Sequence, residues 1–186
     1  MIRRVPAIAL VVAALTAGCS AYSLVPPERQ TIDGAFTVEP QIAWSRKTAF
    51  SGNVDTWTID GAALEQVSFL TGLSDGDKAV DKDDAPKYRK GMSPLDLQEF
   101  LIGTMKALGT GTVQVGSFRP ARLGTVEAFR LEATYTPEDG LRRDGIFVAF
   151  VLKDRLYAML YTGARGYYFD RTKPAFENML ASVKPV

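Results

Sequence analysis

Histidine is absent from this 186-residue chain, and cysteine occurs once, at position 19. Without histidine there is no Ser-His-Asp triad, no Cys-His pair and no histidine-liganded zinc or copper site. A single cysteine can form neither an intrachain disulfide nor a cysteine-held cluster. General acid–base chemistry by carboxylates, Lys or Tyr stays open. The composition therefore disfavours an enzyme, and no cofactor is expected.

Charge of one sign is also lacking, with 22 Lys and Arg against 21 Asp and Glu. The basic residues are scattered as Lys87, Arg89 and Lys90, then Arg119 and Arg122, then Arg142 and Arg143. A nucleic-acid surface requires a basic stripe interleaved with stacking aromatics, so no nucleic-acid partner is expected. Long apolar runs are missing after residue 15.

What is present begins at the N-terminus. Arg3 and Arg4 precede a mostly apolar stretch over 5–15, followed by the small residues Thr16, Ala17 and Gly18. This is the three-part build of a secretory signal peptide. The apolar stretch is too short for a membrane span, which takes about 20 helical residues. Leu15-Thr16-Ala17-Gly18-Cys19 resembles the bacterial lipobox, with Thr16 standing where Leu is commoner. The resemblance implies removal of 1–18 and a diacylglyceryl group, with acyl chains of the palmitate class, on the Cys19 sulfur. Each buried methylene contributes about 0.8 kcal/mol, so two or more acyl chains anchor stably where one anchors marginally. Ser20 follows the cysteine where similar proteins kept at the inner membrane often carry Asp, which implies an outer-membrane anchor facing the periplasm. With Arg3 and Arg4 removed, 20 of the 22 basic residues remain against 21 acidic ones, a nearly neutral chain.

Residues 19–30 read as the lipidated cysteine and a flexible tether, since Pro26-Pro27 favour an extended course of about 3 Å per residue. Residues 31–186 have the length of one domain with a substantial core. Phe36, Val38, Ile42 and Trp44 alternate around Pro40 and predict an edge strand, or two short ones broken at the proline. Trp57 and Ile59 alternate likewise, Asp60-Gly61 signals a hairpin, and Val67 and Phe69 continue beyond it. The polar stretch 74–91 reads as a mobile, solvated loop. Ser93 and Pro94 then open a helix with Leu97, Phe100, Leu101, Met105 and Leu108 on one face and Gly109 as its stop. Strands are predicted over 113–118 and through Phe129, Leu131, Ala133 and Tyr135, the latter alternating with solvated Arg130, Glu132 and Thr134. Residues 146–152 and 156–161 are apolar on both faces and should be central strands. A last helix is predicted to start between Asp170 and Pro174, to bury Phe176, Met179, Leu180 and Val183, and to end near Lys184 and Pro185. The fold class is α+β, an antiparallel sheet with two main helices packed on it.

This element order, the Phe36 to Trp44 opening and the closing Gly166-Tyr-Tyr-Phe-Asp-Arg-Thr-Lys-Pro-Ala-Phe-Glu-Asn-Met-Leu-Ala-Ser-Val-Lys184 resemble the Mog1/PsbP superfamily. The resemblance implies an α/β/α sandwich and a role in binding other proteins rather than in catalysis. Fold by itself does not transfer function.

Four clusters were weighed as sites. The aspartates between Asp75 and Asp84 suit calcium chemically, but a calcium loop starting at Asp75 would place Ala79, Val80 and Pro86 where ligands and a glycine are needed, so no metal is expected. Gly163-Ala164-Arg165-Gly166 lacks the lysine and hydroxyl of a phosphate loop. Glu127, Glu132, Glu138 and Asp139 could supply a carboxylate pair for hydrolysis, but alternation favours a surface pairing of Glu132 with Arg130. Tyr157 and Tyr161 should face the core, while Arg165, Tyr167 and Tyr168, in a loop, are the candidate partner-contact residues. The expected function is a membrane-anchored envelope lipoprotein acting as a non-catalytic docking or accessory module with an envelope protein partner. The alternatives are a carrier enclosing an apolar or lipid-like ligand between sheet and helix, and, more weakly, a carboxylate-dependent hydrolase.

Overall fold

The computed structural model describes residues 22–47 and 53–186. The expected signal peptide and the lipid-attachment residue Cys19 lie outside the described residues. In chain order the first elements are β1 (Tyr22–Val25), β2 (Gln30–Ile32), β3 (Phe36–Val38), β4 (Trp44–Lys47), β5 (Val54–Thr58) and β6 (Glu65–Leu73). They are followed by α1 (Pro94–Ala107), β7 (Thr112–Leu123), β8 (Val126–Thr136), β9 (Arg143–Leu152), β10 (Arg155–Ala164), α2 (Tyr167–Ala181) and β11 (Lys184–Pro185).

Eight strands form one antiparallel sheet in the order β1-β4-β5-β6-β10-β9-β8-β7, and β11, β3 and β2 form a second, smaller sheet. The two apolar strands β9 and β10 lie inside the large sheet as expected. Lys153 and Asp154 join them with φ of 48° and 65°, the positive-φ pair that a tight two-residue hairpin requires.

Because β9 and β10 carry no polar face, both sides of the sheet must be covered. On one side Trp57, Val67, Phe69, Val148, Phe150, Tyr157, Met159 and Tyr161 pack with Phe36 and Val38 of the small sheet and with Phe169, Phe176 and Met179 of α2. On the other, Leu70, Leu131, Ala133, Phe147, Ala149, Leu156 and Ala158 meet Leu97, Phe100, Leu101 and Met105 of α1. Each fully buried Phe, Leu or Met side chain contributes about 1.5–3 kcal/mol, so both layers are held mainly by burial. The result is an α+β fold of three layers with α1 on one side and α2 and the small sheet on the other.

The start of α1 follows its sequence closely. Ser93 Oγ accepts from the Asp96 amide at 3.2 Å, and Asp96 accepts in return from the Ser93 amide at 3.0 Å, a reciprocal cap that satisfies two of the helix's orphan donors. Gly109, at φ 76°, ends the helix, but Leu108, at 58% exposure, is not buried with the rest of the apolar face.

Other expectations are corrected. Helix α2 starts at Tyr167, earlier than the 170–174 window, with Gly166 at φ 89° as its cap. Pro174 therefore lies inside the helix, on the exposed side where water can reach the carbonyl that it leaves unbonded. Lys184 and Pro185 are not the helix end but a short strand paired with Thr37 and Phe36. Phe36 and Val38 belong to the small sheet and Trp44 to the large one, while Ile42 and Ile59 lie outside strands and are exposed. Arg130 is buried: its guanidinium reaches the Glu177 carboxylate of α2 at 2.7 and 3.0 Å and Glu132 at 2.7 Å. Alternation misreads it because a charged residue on a strand is buried when the facing helix brings its counter-charge.

The expected tether over 19–30 is also shorter than its composition implies. Tyr22–Val25 form the edge strand β1, paired with β4, and Val25 is buried beside Trp44. Pro26-Pro27 follow that strand as the chain turns toward β2. Among the described residues no helix is long and apolar enough to cross a membrane.

Candidate functional site

The α1 side of the sheet is wider than α1. Strand pairing aligns three rows of residues on that face: Val54, Leu70 and Ala158; Thr56, Ser68, Leu160 and Phe147; and Gln66 with Thr162. The helix packs on this face and leaves a cleft between itself and β5, β6 and β10. That cleft, about 250 Å³, is roofed by Phe100, Leu101, Thr104, Met105 and Leu108 and bordered by Tyr135, Thr110, Ala79 and Val80. Carbon dominates its walls, and among the described residues no Asp, Glu, Lys or Arg lines it.

Size and polarity narrow what the cleft can hold. An apolar cavity of about 150 Å³ stays dry and accepts a benzene-sized guest, whereas drug-sized ligands occupy roughly 300–1,000 Å³. The space here suits one aliphatic chain or a small ring. Two lining residues, Thr104 on α1 and Thr110 just beyond it, have buried hydroxyls with no hydrogen-bond partner among the described residues. Thr56 and Ser68, by contrast, bond each other across the strands at 3.2 Å.

The loop expected to be mobile helps to build this border. A bridge between Lys78 and Lys87, with Gly76 and Tyr88 amides donating across the loop, pins its backbone. Asp75 accepts from the Lys90 amide and Asp77 from the Ser74 amide, so these carboxylates act as turn locks. Burial of Ala79 and Tyr88 then fixes one flank of the cleft.

The aromatic corner expected as a partner contact divides in two. Tyr157 and Tyr161 are core residues, and the Tyr161 hydroxyl donates to the Phe169 carbonyl at 2.6 Å. Burial, with Glu65 nearby, pushes the Tyr161 phenol well above its ordinary value. Tyr167 and Tyr168 lie in the first turn of α2 and not in a loop. Tyr167 is 66% exposed with the Arg171 guanidinium 5.1 Å from its ring centroid, and Tyr168, packed edge-on against it, is half-buried. Arg165 is exposed and pairs with Asp144 at 3.3 Å. A Cβ on Gly163 would come within 3.0 Å of Phe169 Cα, so glycine there lets α2 close on β10.

The carboxylates considered for hydrolysis do not converge. Glu132 is engaged by Arg130 and Asp139 by Arg143. The one fully buried carboxyl, Glu65, accepts at Oε1 from the Thr58 hydroxyl and from the Ile59 and Asp60 amides, clamping the β5–β6 turn. Desolvation raises its pKa above the ordinary carboxyl value. Among the described residues no three His, Cys, Asp or Glu side chains gather as a metal site. Sequence reasoning offered a ligand space between sheet and helix only as an alternative and named none of its polar floor residues. Its signal is the hydroxyl and amide positions Thr56, Gln66, Ser68 and Thr162, each opposite large apolar residues of its own strand.

The tyrosine corner yields a paired prediction. Tyr167→Ala should change stability by less than about 0.5 kcal/mol, as at other exposed sites, and Tyr168→Ala should cost about 1 kcal/mol, in proportion to its partial burial. Urea denaturation of both variants checks this, and equal losses would mean that both rings are packed.

No family model matches the chain, and no curated protein matches its sequence. Solved structures do. The cyanobacterial PsbP (CyanoP) of Synechocystis sp. PCC 6803 aligns at a TM-score of 0.56 over 92% of this chain and 96% of that chain, with 14% sequence identity. A Pseudomonas aeruginosa protein of unknown function aligns at 0.47 with 13% identity, over 90% of this chain and 99% of that one. LpqN of Mycobacterium tuberculosis, involved in cell envelope biogenesis, aligns at 0.40 with 13% identity, over 92% of this chain and 87% of its own. The first of these likenesses, together with the three-layer architecture, shows that this chain has a PsbP-like fold.

Proposed function

We propose that this chain is a lipid-anchored envelope protein that binds, and does not transform, an aliphatic chain in the cleft between α1 and the sheet. The observation that carries this reading is the cleft of about 250 Å³, carbon-walled, with no charged side chain among the described residues and with Thr56, Gln66, Ser68 and Thr162 on its floor. It favours the carrier over the docking module expected from sequence. The anchor reading rests on residues 1–19, where a charged start, an apolar core and small residues converge on the one cysteine. An acylated, aliphatic molecule is the natural guest of a cleft that has room for a chain and one polar end but nothing to neutralise a charge.

A second reading, contact of the Arg165, Tyr167 and Tyr168 corner with an envelope protein, is favoured by one observation. Tyr167 is held outward with Arg171 over its ring, and exposed Tyr and Arg together are enriched in binding hot spots. The two readings use opposite faces of the sheet and are compatible in one molecule.

Two outcomes are expected. Calorimetric titration of the Cys19→Ser chain with 1-octanol, an uncharged chain with one hydroxyl, should show saturable one-to-one binding. Leu160→Trp, which fills the cleft floor, should weaken it at least about tenfold, or 1.4 kcal/mol. Binding unaffected by Leu160→Trp would remove the cleft as its site. In cells, Cys19→Ser should move the folded protein from the membrane to the soluble envelope fraction. Membrane retention of that variant through an alkaline wash would count against the lipid anchor.

A further inference from the structure

We infer that the β1 edge of the large sheet, on its cleft-side face, is the surface that rests on the lipid bilayer. The inference depends on the reading of Cys19 as the lipidated residue. Three residue steps separate Cys19 from Tyr22, and a chain extends at most about 3.6 Å per residue. The first residue of β1 therefore lies within about 11 Å of the lipid-bearing Cα. An anchor that close makes β1 the part of the domain nearest the membrane.

The exposed side chains of β1 match that position. Val25 is buried with its partner Trp44 on the α2 side of the sheet, so alternation directs Tyr22 and Leu24 to the α1 side. Leu24 is 74% exposed and Tyr22 39%. An outermost strand reading Tyr-Ser-Leu-Val carries no charge, whereas exposed edge strands ordinarily carry charges, Pro or bulges that prevent pairing with other chains. Tyrosine is at home at a membrane–water interface and leucine just beneath it. The register partner of Tyr22 is Lys47, exposed on the same face and able to meet anionic headgroups.

The same face leads to the cleft. Strand β5, whose Val54 and Thr56 form part of the cleft floor, is the second neighbour of β1, about 10 Å away at the usual strand spacing. Seating this edge on the bilayer would bring the cleft next to the acyl chains that it is proposed to take up.

The test uses the lipidated full-length chain, in which the only native cysteine bears the lipid, so that an introduced thiol is unique. A fluorophore is attached to Leu24→Cys or, on the opposite face, to Tyr167→Cys. Each protein is reconstituted in phosphatidylethanolamine and phosphatidylglycerol vesicles containing nitroxide-labelled lipid. Flotation and the intact mass report the anchor independently of the probes. Quenching at position 24 several-fold stronger than at 167 is the expected result. Equal or weaker quenching at 24 in a chain that floats with the vesicles would overturn the placement and leave the anchor standing. A chain that neither floats nor carries the mass of a diacylglyceryl group would remove the anchor, and this inference with it. Shielding of the Leu24 probe from water-soluble quencher without quenching by lipid would mean that a second copy of the chain pairs with this edge, which also overturns it.

Discussion

The constraint on which this structure depends is that β9 and β10 have no polar face. Residues 146–150 and 156–161 are almost continuously apolar, and both sides of the sheet that they form must be kept from water. One side is closed by α2 and the small sheet, with Phe36, Phe176 and Met179 fully buried against it. The other side has one helix, α1, of 14 residues, with the 74–91 loop at its flank. A helix about 10 Å across cannot cover eight strands spaced at about 4.8 Å, and the cleft is the consequence of that mismatch.

The residues at the uncovered margin are adapted to partial exposure. Val54 and Leu160 are only partly buried, and Thr56, Ser68, Gln66 and Thr162 take the places that large apolar residues occupy on the opposite face of the same strands. A mixed floor of this kind is neither a finished core nor an ordinary solvated surface. It leaves room between the sheet and α1 without exposing a wide greasy patch. The pinned 74–91 loop belongs to the same arrangement, since its carboxylates spend their hydrogen bonds holding Ala79 and Val80 at the cleft border.

Much of this was legible in the sequence, for stateable reasons. Ser93, Pro94 and the spacing of Leu97, Phe100, Leu101 and Met105 announced α1, because capping and helical period are local properties. The central strands were legible because nothing polar interrupts them. Misreadings arose where a distant element decides the outcome. Arg130 was read as solvated because Glu177 is 47 residues away in sequence. Helix α2 was read as starting late because its cap is Gly166 and not a polar side chain, and because Pro174 resembles a first-turn proline. The strand β1 was hidden by Pro26-Pro27 and by its length of 4 residues. A space between sheet and helix was legible only as an alternative, because six elements and the 74–91 loop supply its walls and no single segment carries its pattern.

The central claim is that the α1 cleft is a binding site for an aliphatic chain rather than a water-filled packing defect. Native mass spectrometry of the chain isolated gently from the cells that make it tests this most directly. The account predicts a non-covalent adduct of one aliphatic, acyl-bearing molecule, present in the wild type and lost in Leu160→Trp. A single bare mass under conditions that preserve known lipid complexes, or an adduct that survives Leu160→Trp, would contradict it.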